Sequence, residues 1–274
     1  MEWLRSLWRD DIKRSRLVIR MAATTHTGKV REANEDNFFF DGRYMSRDHQ
    51  SLDEIYTAEK VVSDGIIVAL FDGMGGETAG ELASYTAARS LADIEKQKEI
   101  SDQPEELVRM LNREVCAQGK VEKISQMGST AIICRFGGEE KEKSSWIANL
   151  GDSPAYAFSN GELTLLTHAH TNAEFLQKCG ITNRKPGLTQ FLGISEEEFQ
   201  LEPYVRYFSP QNQEQYLMCS DGLTDMVAEE EIRKILSERI TVKEKVQNLL
   251  TLALDKGGRD NITMILCEVW EGIE

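Results

Sequence analysis

The chain has 274 residues, 41% hydrophobic and 28% charged, a mixture that suits a globular domain able to bury a core without staples. Its formal net charge of −14 argues against nucleic acid as a partner, because a phosphate backbone needs clustered Lys and Arg. The five cysteines form no C-x-x-C pair, and Cys134, Cys219 and Cys267 lie in apolar runs, so a reducing, cytoplasmic setting without disulfides is expected.

Residues 1–17 read as an N-terminal extension. Trp3, Leu4, Leu7, Trp8 and Ile12 fall near one face of an amphipathic helix, which would pack on its own domain or meet a partner or membrane surface. Charges interrupt the early apolar residues, so no signal peptide is expected, and no run reaches transmembrane length. Residues 18–274 read as a single domain. Short apolar runs predict strands over 18–24, 37–41, 65–71, 129–136, 144–150, 155–158, 163–166, 216–219 and 261–269. Residues 46–63 read as a polar insertion loop or hairpin tip, and Asn160-Gly161 as a hairpin turn. Helical patterns cover 79–96, 104–117, 229–238 and 242–255; Pro104 followed by Glu105 and Glu106 marks a first turn, and Gly257-Gly258 a stop. Strands follow one another and helices cluster, which predicts an α+β domain of antiparallel sheet with helices outside.

Aspartates recur where apolar runs end. Residues 66–71 run into Asp72-Gly73-Met74-Gly75-Gly76, 146–150 into Gly151-Asp152-Ser153, and 216–219 into Ser220-Asp221-Gly222-Leu223-Thr224-Asp225. Gly257-Gly258-Arg259-Asp260-Asn261 precedes the last run, and Arg31-Glu32-Ala33-Asn34-Glu35-Asp36 precedes residues 37–40. One such Asp is usually a turn former. Five at strand ends, if they converge, repel one another unless cations neutralise them. Oxygen ligands without a His or Cys cluster suit Mg²⁺ or Mn²⁺. Two such ions, about 3.5–4 Å apart, can activate a water for in-line attack on phosphorus. Arg31 is placed to clamp a phosphate with its planar fork.

Rival phosphate chemistries are poorly supported. Cys179 and Arg184 are one residue short of a C-x5-R loop, no D-x-D motif occurs, and Gly75 and Gly80 have P-loop spacing but precede Glu81 instead of Lys. The four histidines, His26, His49, His168 and His170, show no metal spacing; His168 and His170 read as surface residues.

Six motifs in order resemble the PPM family, the metal-dependent type 2C serine/threonine protein phosphatases, in a bacterial form. They are Arg31-x-x-Asn34-Glu35-Asp36, Asp72-Gly73-Met74-Gly75-Gly76, Gly128-Ser129-Thr130-Ala131, Gly151-Asp152-Ser153, Ser220-Asp221-Gly222-Leu223-Thr224-Asp225 and Gly257-Gly258-x-Asp260-Asn261-Ile262-Thr263. The resemblance implies a four-layer α-β-β-α sandwich and hydrolysis of phosphoserine and phosphothreonine by a hydroxide bridging two Mn²⁺ or Mg²⁺ ions. It implies that Asp72 bridges the ions, Gly73 offers a carbonyl, and Asp221 and Asp260 complete the ligands. Glu35 and Asp36 would act mostly through water. Asp152, Asp221 and Asp225 would hold a third ion, and Arg31 the substrate phosphate. Phosphoproteins, a cognate Ser/Thr kinase among them, are the implied partners of a monomer.

Met74 stands where animal relatives carry a histidine thought to protonate the leaving group, Pro154 where Arg is usual, and the flap region, 167–192, is shortened. Leu188-Thr189-Gln190-Phe191-Leu192-Gly193 still resembles the segment that closes the flap. Two other functions share these features: an inactive binding module of the same fold, and a hydrolase of small phosphate esters. Lost ligands would mark the first, and rates on metabolites against peptides would reveal the second.

Overall fold

The computed structural model describes residues 16–62, 65–75, 79–97, 103–124, 126–137, 145–197 and 199–272. The helix expected before residue 16 lies outside them. The strands of the first half are β1 (Arg16–His26), β2 (Asp36–Phe40), β3 (Tyr56–Val61), β4 (Ile66–Met74), β5 (Gly128–Ser129) and β6 (Ala131–Phe136). Those of the second half are β7 (Ser145–Leu150), β8 (Ala155–Ser159), β9 (Glu162–Leu165), β10 (Tyr204–Phe208), β11 (Gln215–Cys219) and β12 (Ile262–Gly272). The helices are α1 (Ala79–Lys96), α2 (Pro104–Glu122), α3 (Ala173–Lys178), α4 (Asp221–Thr224), α5 (Glu229–Ser237) and α6 (Val242–Asp255).

Side-chain alternation along the strands builds the layers. One antiparallel sheet has the order β3-β1-β12-β11-β8-β9, the other β10-β7-β6-β4-β2, with β5 paired to β4. In the space shared by the two sheets, Ile19, Met21, Ala23, Ile265, Cys267 and Val269 meet Phe38, Phe40, Val68, Ile132 and Cys134. The intervening residues face outward. Phe39, Ala69 and Phe71 pack under α1 and α2 with Leu82, Leu91 and Leu111. Leu217, Cys219, Met264 and Leu266 pack under α5 and α6 with Ile232, Val246 and Leu249. Three cores separated by two sheets make the expected α-β-β-α sandwich.

The helix ends follow their sequence signals. Thr241 and Glu244 form a capping box at α6: the Glu244 N–H donates to Thr241 Oγ1 at 3.2 Å, and the Thr241 N–H to Glu244 Oε2 at 2.8 Å. The same helix stops where the Gly258 N–H returns to the Ala253 carbonyl at 3.0 Å. Asn160 and Gly161 turn with φ of 52° and 82° between β8 and β9, as the dipeptide predicts.

Two strands depart from expectation. The polar stretch 46–63 contains β3, and a second unforeseen strand is β10; each lies at the edge of its sheet. Glu59 and Lys60 of β3 are exposed, and charged residues blunt an edge strand, so its apolar signal is weak. The predicted strand 129–136 divides at Thr130, whose N–H donates to the Asp72 carbonyl at 2.8 Å. The short helices α3 and α4 carried no periodic pattern long enough to read.

Phe38 is fully buried between the sheets, its ring edge-on to Tyr56 at 6.1 Å. Phe38→Ala should lower the unfolding free energy by about 3–5 kcal/mol in urea titrations. Val121→Ala, on an exposed face of α2, should change it by less than about 0.5 kcal/mol. Equal effects would contradict the placement of the inner core.

Candidate metal centre

The β2–β4 ladder sets Asp36 directly opposite Asp72, so two carboxylates occupy neighbouring strands. Asp36 is 1% exposed, and Asp72 sits beside it with part of the residue open to solvent. The Gly73 N–H donates to the Glu35 carbonyl at 3.1 Å, locking the start of β2 to the end of β4. A Cβ on Gly73 would lie 2.3 Å from the carbonyl oxygens of both Glu35 and Gly80, so only glycine permits this approach.

The other sheet supplies Asp221 and Asp260, and Asp152 lies between the two sheets. Asp221 begins α4 straight after β11, and Asp260 precedes β12. A Cβ on Gly222 would lie 1.9 Å from the Asn261 carbonyl oxygen, which holds these two segments together. Asp152 follows β7 in the turn that leads to β8.

Neutral side chains fix the acids in place. Buried Ser220 donates its hydroxyl to Asp36 Oδ2 at 2.8 Å and accepts the Thr263 N–H at 3.0 Å. Thr130 Oγ1 accepts the Asp72 N–H at 3.1 Å and lies 2.8 Å from Ser153 Oγ. Asn261 Oδ1 accepts the Glu35 N–H at 2.8 Å, while its amide donates to the Thr27 and Ala33 carbonyls, each at 2.9 Å. Asn34 donates to Thr25 Oγ1 at 2.8 Å and accepts the Asp36 N–H at 3.2 Å. These positioning roles were not read from the sequence. Their one signal was their recurrence inside the motifs.

Burial, with the nearby charges of Asp221 and Asp260, pushes the Asp36 carboxyl up to about 7 against the bonds from Thr263 and Ser220. Burial holds Asp72 well above the usual carboxylate range, reinforced by Asp36, Asp221, Asp152 and Asp260. Burial also raises Asp152, with Asp221 adding to it and Lys185 opposing it. Glu35 is raised by burial, opposed by Arg31 and reinforced by Glu81 and Asp260. The fold thus gathers Glu35, Asp36, Asp72, Asp152, Asp221 and Asp260 into one field of mutual repulsion.

Two cations answer that field. Arg31 Nη2 donates to Asp260 Oδ2 at 2.8 Å, with Nη1 4.0 Å from Glu35. Lys185, which sequence reasoning missed, donates to Asp221 Oδ2 at 2.8 Å and Asp225 Oδ2 at 3.3 Å. Among the described residues no three acidic, imidazole or thiol side chains converge tightly enough to form a finished ion cage. Asp221, Asp225 and Asp260 instead bond these side-chain cations. Their oxygen-only donor set, burial and repulsion fit hard divalent ions.

The histidine expectation needs one correction. His168 is exposed, but His170 is 8% exposed and lies under the Asp152 turn: its N–H donates to the Gly151 carbonyl at 3.0 Å, and Nδ1 lies 3.2 Å from the Gly151 nitrogen. Polar partners on the turn backbone let this ring be buried.

A raised Asp binds its proton more tightly in the folded than in the unfolded chain. That stabilisation is complete below about pH 4 and is lost as pH rises through about 7. The melting temperature of chelator-treated protein should therefore fall between about pH 4 and pH 7, less steeply in Asp36→Asn, and manganese should restore it at the alkaline end. A slope unchanged by Asp36→Asn in calorimetry would show that Asp36 does not carry it.

Residues 43–256 match the family model described as protein phosphatase 2C. The chain is 32% identical over 260 residues to serine/threonine phosphatase stp of Listeria monocytogenes, covering 89% of this chain and 93% of that one. It is 30% identical to serine/threonine protein phosphatase PstP of Mycobacterium tuberculosis, covering 92% of this chain and 45% of the longer relative. The crystal structure of PstP/Ppp from that organism superposes with a TM-score of 0.72 at 28% identity, covering 93% of this chain and all of the other. The PstP catalytic domain in complex with two manganese ions gives a TM-score of 0.69, also at 28% identity. This chain belongs to the protein phosphatase 2C family.

Proposed function

We propose that this chain hydrolyses phosphoserine and phosphothreonine in proteins with a pair of Mn²⁺ or Mg²⁺ ions bound at Asp72, Gly73, Asp221 and Asp260. The observation that carries the reading is the pairing of Asp36 with Asp72, met by Asp221 and Asp260 from the ends of the other sheet. PstP, a relative of the same fold, binds two manganese ions. When bound, such ions supply Lewis acidity, lowering the pKa of water and offsetting charge on phosphoryl oxygens.

The side chains do the rest. Asp72, opposite Asp36 and within the field of Asp221 and Asp260, would be the central acid holding the ions. Asp36, held at Oδ2 by Ser220, and Glu35 would orient water at the site. Arg31 reaches the same edge on a half-exposed side chain. It would exchange its Asp260 contact for two oxygens of the substrate phosphate, a geometry its fork matches. Met74, in the next outward position along β4 from Asp72, has no proton to give a leaving oxygen. Every ligand position named by the motifs keeps its acid, so the inactive-module reading lacks the substitution it requires. Phosphoproteins, including a kinase opposed by this activity, are the proposed substrates.

The test is manganese-dependent release of phosphate from a phosphothreonine peptide. Asp72→Asn should lower kcat by about 10³-fold or more, and chelator should abolish turnover. Arg31→Ala should lower kcat/KM by about 10–10³-fold with ion binding intact. Near-normal turnover by Asp72→Asn with manganese bound would overturn the mechanism. Faster hydrolysis of small phosphate esters than of any peptide would move the substrate class.

A further inference from the structure

Residues 173–186 form an excursion that leaves and rejoins the sandwich at a closed neck. There the Asn172 N–H donates to the Gly187 carbonyl at 3.0 Å, the Gly187 N–H donates to Asn172 Oδ1 at 2.9 Å, and Thr171 bridges to Leu188. Residues 179–185 are exposed. Lys185, two residues before the neck, lies back against the acidic edge. Its Nζ bonds Asp221 Oδ2 at 2.8 Å and Asp225 Oδ2 at 3.3 Å, and its charge also reaches Asp152.

Asp152, Asp221 and Asp225 are the set that the family resemblance gives to a third ion. Lys185 bonds two of these three acids, Asp221 and Asp225. Three carboxylates and one ammonium leave two negative charges; three carboxylates and one divalent ion leave one. An ion can therefore displace the lysine, but it must compete with a cation covalently tethered to the site. We propose that Lys185 holds the place of a third divalent ion on Asp221 and Asp225, so that entry of the ion and release of the 173–186 excursion are one exchange. This inference rests on the metal-centre reading above.

The contact is partly open to solvent, with the Lys185 side chain 65% exposed, so competition weakens the third site without abolishing it. The exchange is reciprocal: whatever frees the lysine favours the ion, and the ion frees the excursion. Substitution of an exposed side chain should leave the fold intact.

Manganese binding to the whole protein can be followed by the paramagnetic resonance of the free ion, with hydrogen exchange of residues 173–187 as a second readout. Lys185→Met should tighten the weakest manganese site about tenfold, whereas Lys185→Arg should leave it near the wild-type value. Saturating manganese should speed exchange across the excursion in the wild type, and Lys185→Met should show fast exchange without the ion. Asp152→Asn should remove the weakest site in both backgrounds. Equal third-site affinities in wild type and Lys185→Met would overturn the proposal, as would a third ion that persists in Asp152→Asn. A wild type that binds no manganese at all would remove the metal centre and the proposal with it, a result distinct from intact tight sites with an unaltered third.

Discussion

Like charges held together at one end of a sandwich set the terms for the rest of this structure. Asp36 and Asp72 stand opposite each other on paired strands, with Asp221, Asp260 and Asp152 in reach of their field. Ionised carboxylates resist removal from water, and each one nearby makes the next harder to ionise. The stability lost there must be supplied elsewhere. The three apolar cores contribute it, two beneath helix pairs and one between the sheets. Function at the edge and packing in the interior are thus parts of one energetic balance.

The same constraint explains the neutral polar residues around the acids. Ser220 joins β11's end to Asp36 on the opposite sheet, and Asn261 joins β12's start to the Glu35 backbone. Thr25 and Thr263, buried on paired strands, share a hydrogen bond of 2.6 Å, and Asn34 reaches the first of them. All but the Thr25–Thr263 bond cross between the sheets where the carboxylates lie. A carboxylate on a mobile loop would relieve repulsion by swinging into water. Here hydrogen bonds made by the strands and their immediate continuations remove that freedom, keeping the site preorganised for cations.

Much of the molecule was legible because its local and global signals agree. Helix α1 was readable to its ends from its helical pattern, and α6 announced itself with a double-glycine stop. Strand β4 was visible as a continuous apolar run because both its faces are covered. Strands β3 and β10 were hidden, since an edge strand with an exposed face needs no such run. Within the site, the acids stood out as charged residues at the ends of apolar runs. Lys185 had no comparable signal: a lysine in a polar loop looks solvated, and its partners lie 36 and 40 residues away in sequence. His170 was misread for the same reason, since the turn that buries it is contributed by Gly151.

Charge on the whole molecule sharpens the role of the two cations at the edge. The net charge of −14 raises the local concentration of divalent ions and repels a phosphorylated protein. A substrate of the proposed class can approach only where that sign is reversed. In the proposed mechanism, bound ions would reverse it in part, and Arg31 would complete the change by turning from Asp260 to a phosphate. Arg31 and Lys185 each bond a carboxylate at this edge, Asp260 and Asp221 respectively. Ion binding would then do more than provide a Lewis acid: it would release the chain's own positive charges for the substrate. Acidity that argues against nucleic acid as a partner would, at this edge, be the means by which cation binding precedes phosphate binding.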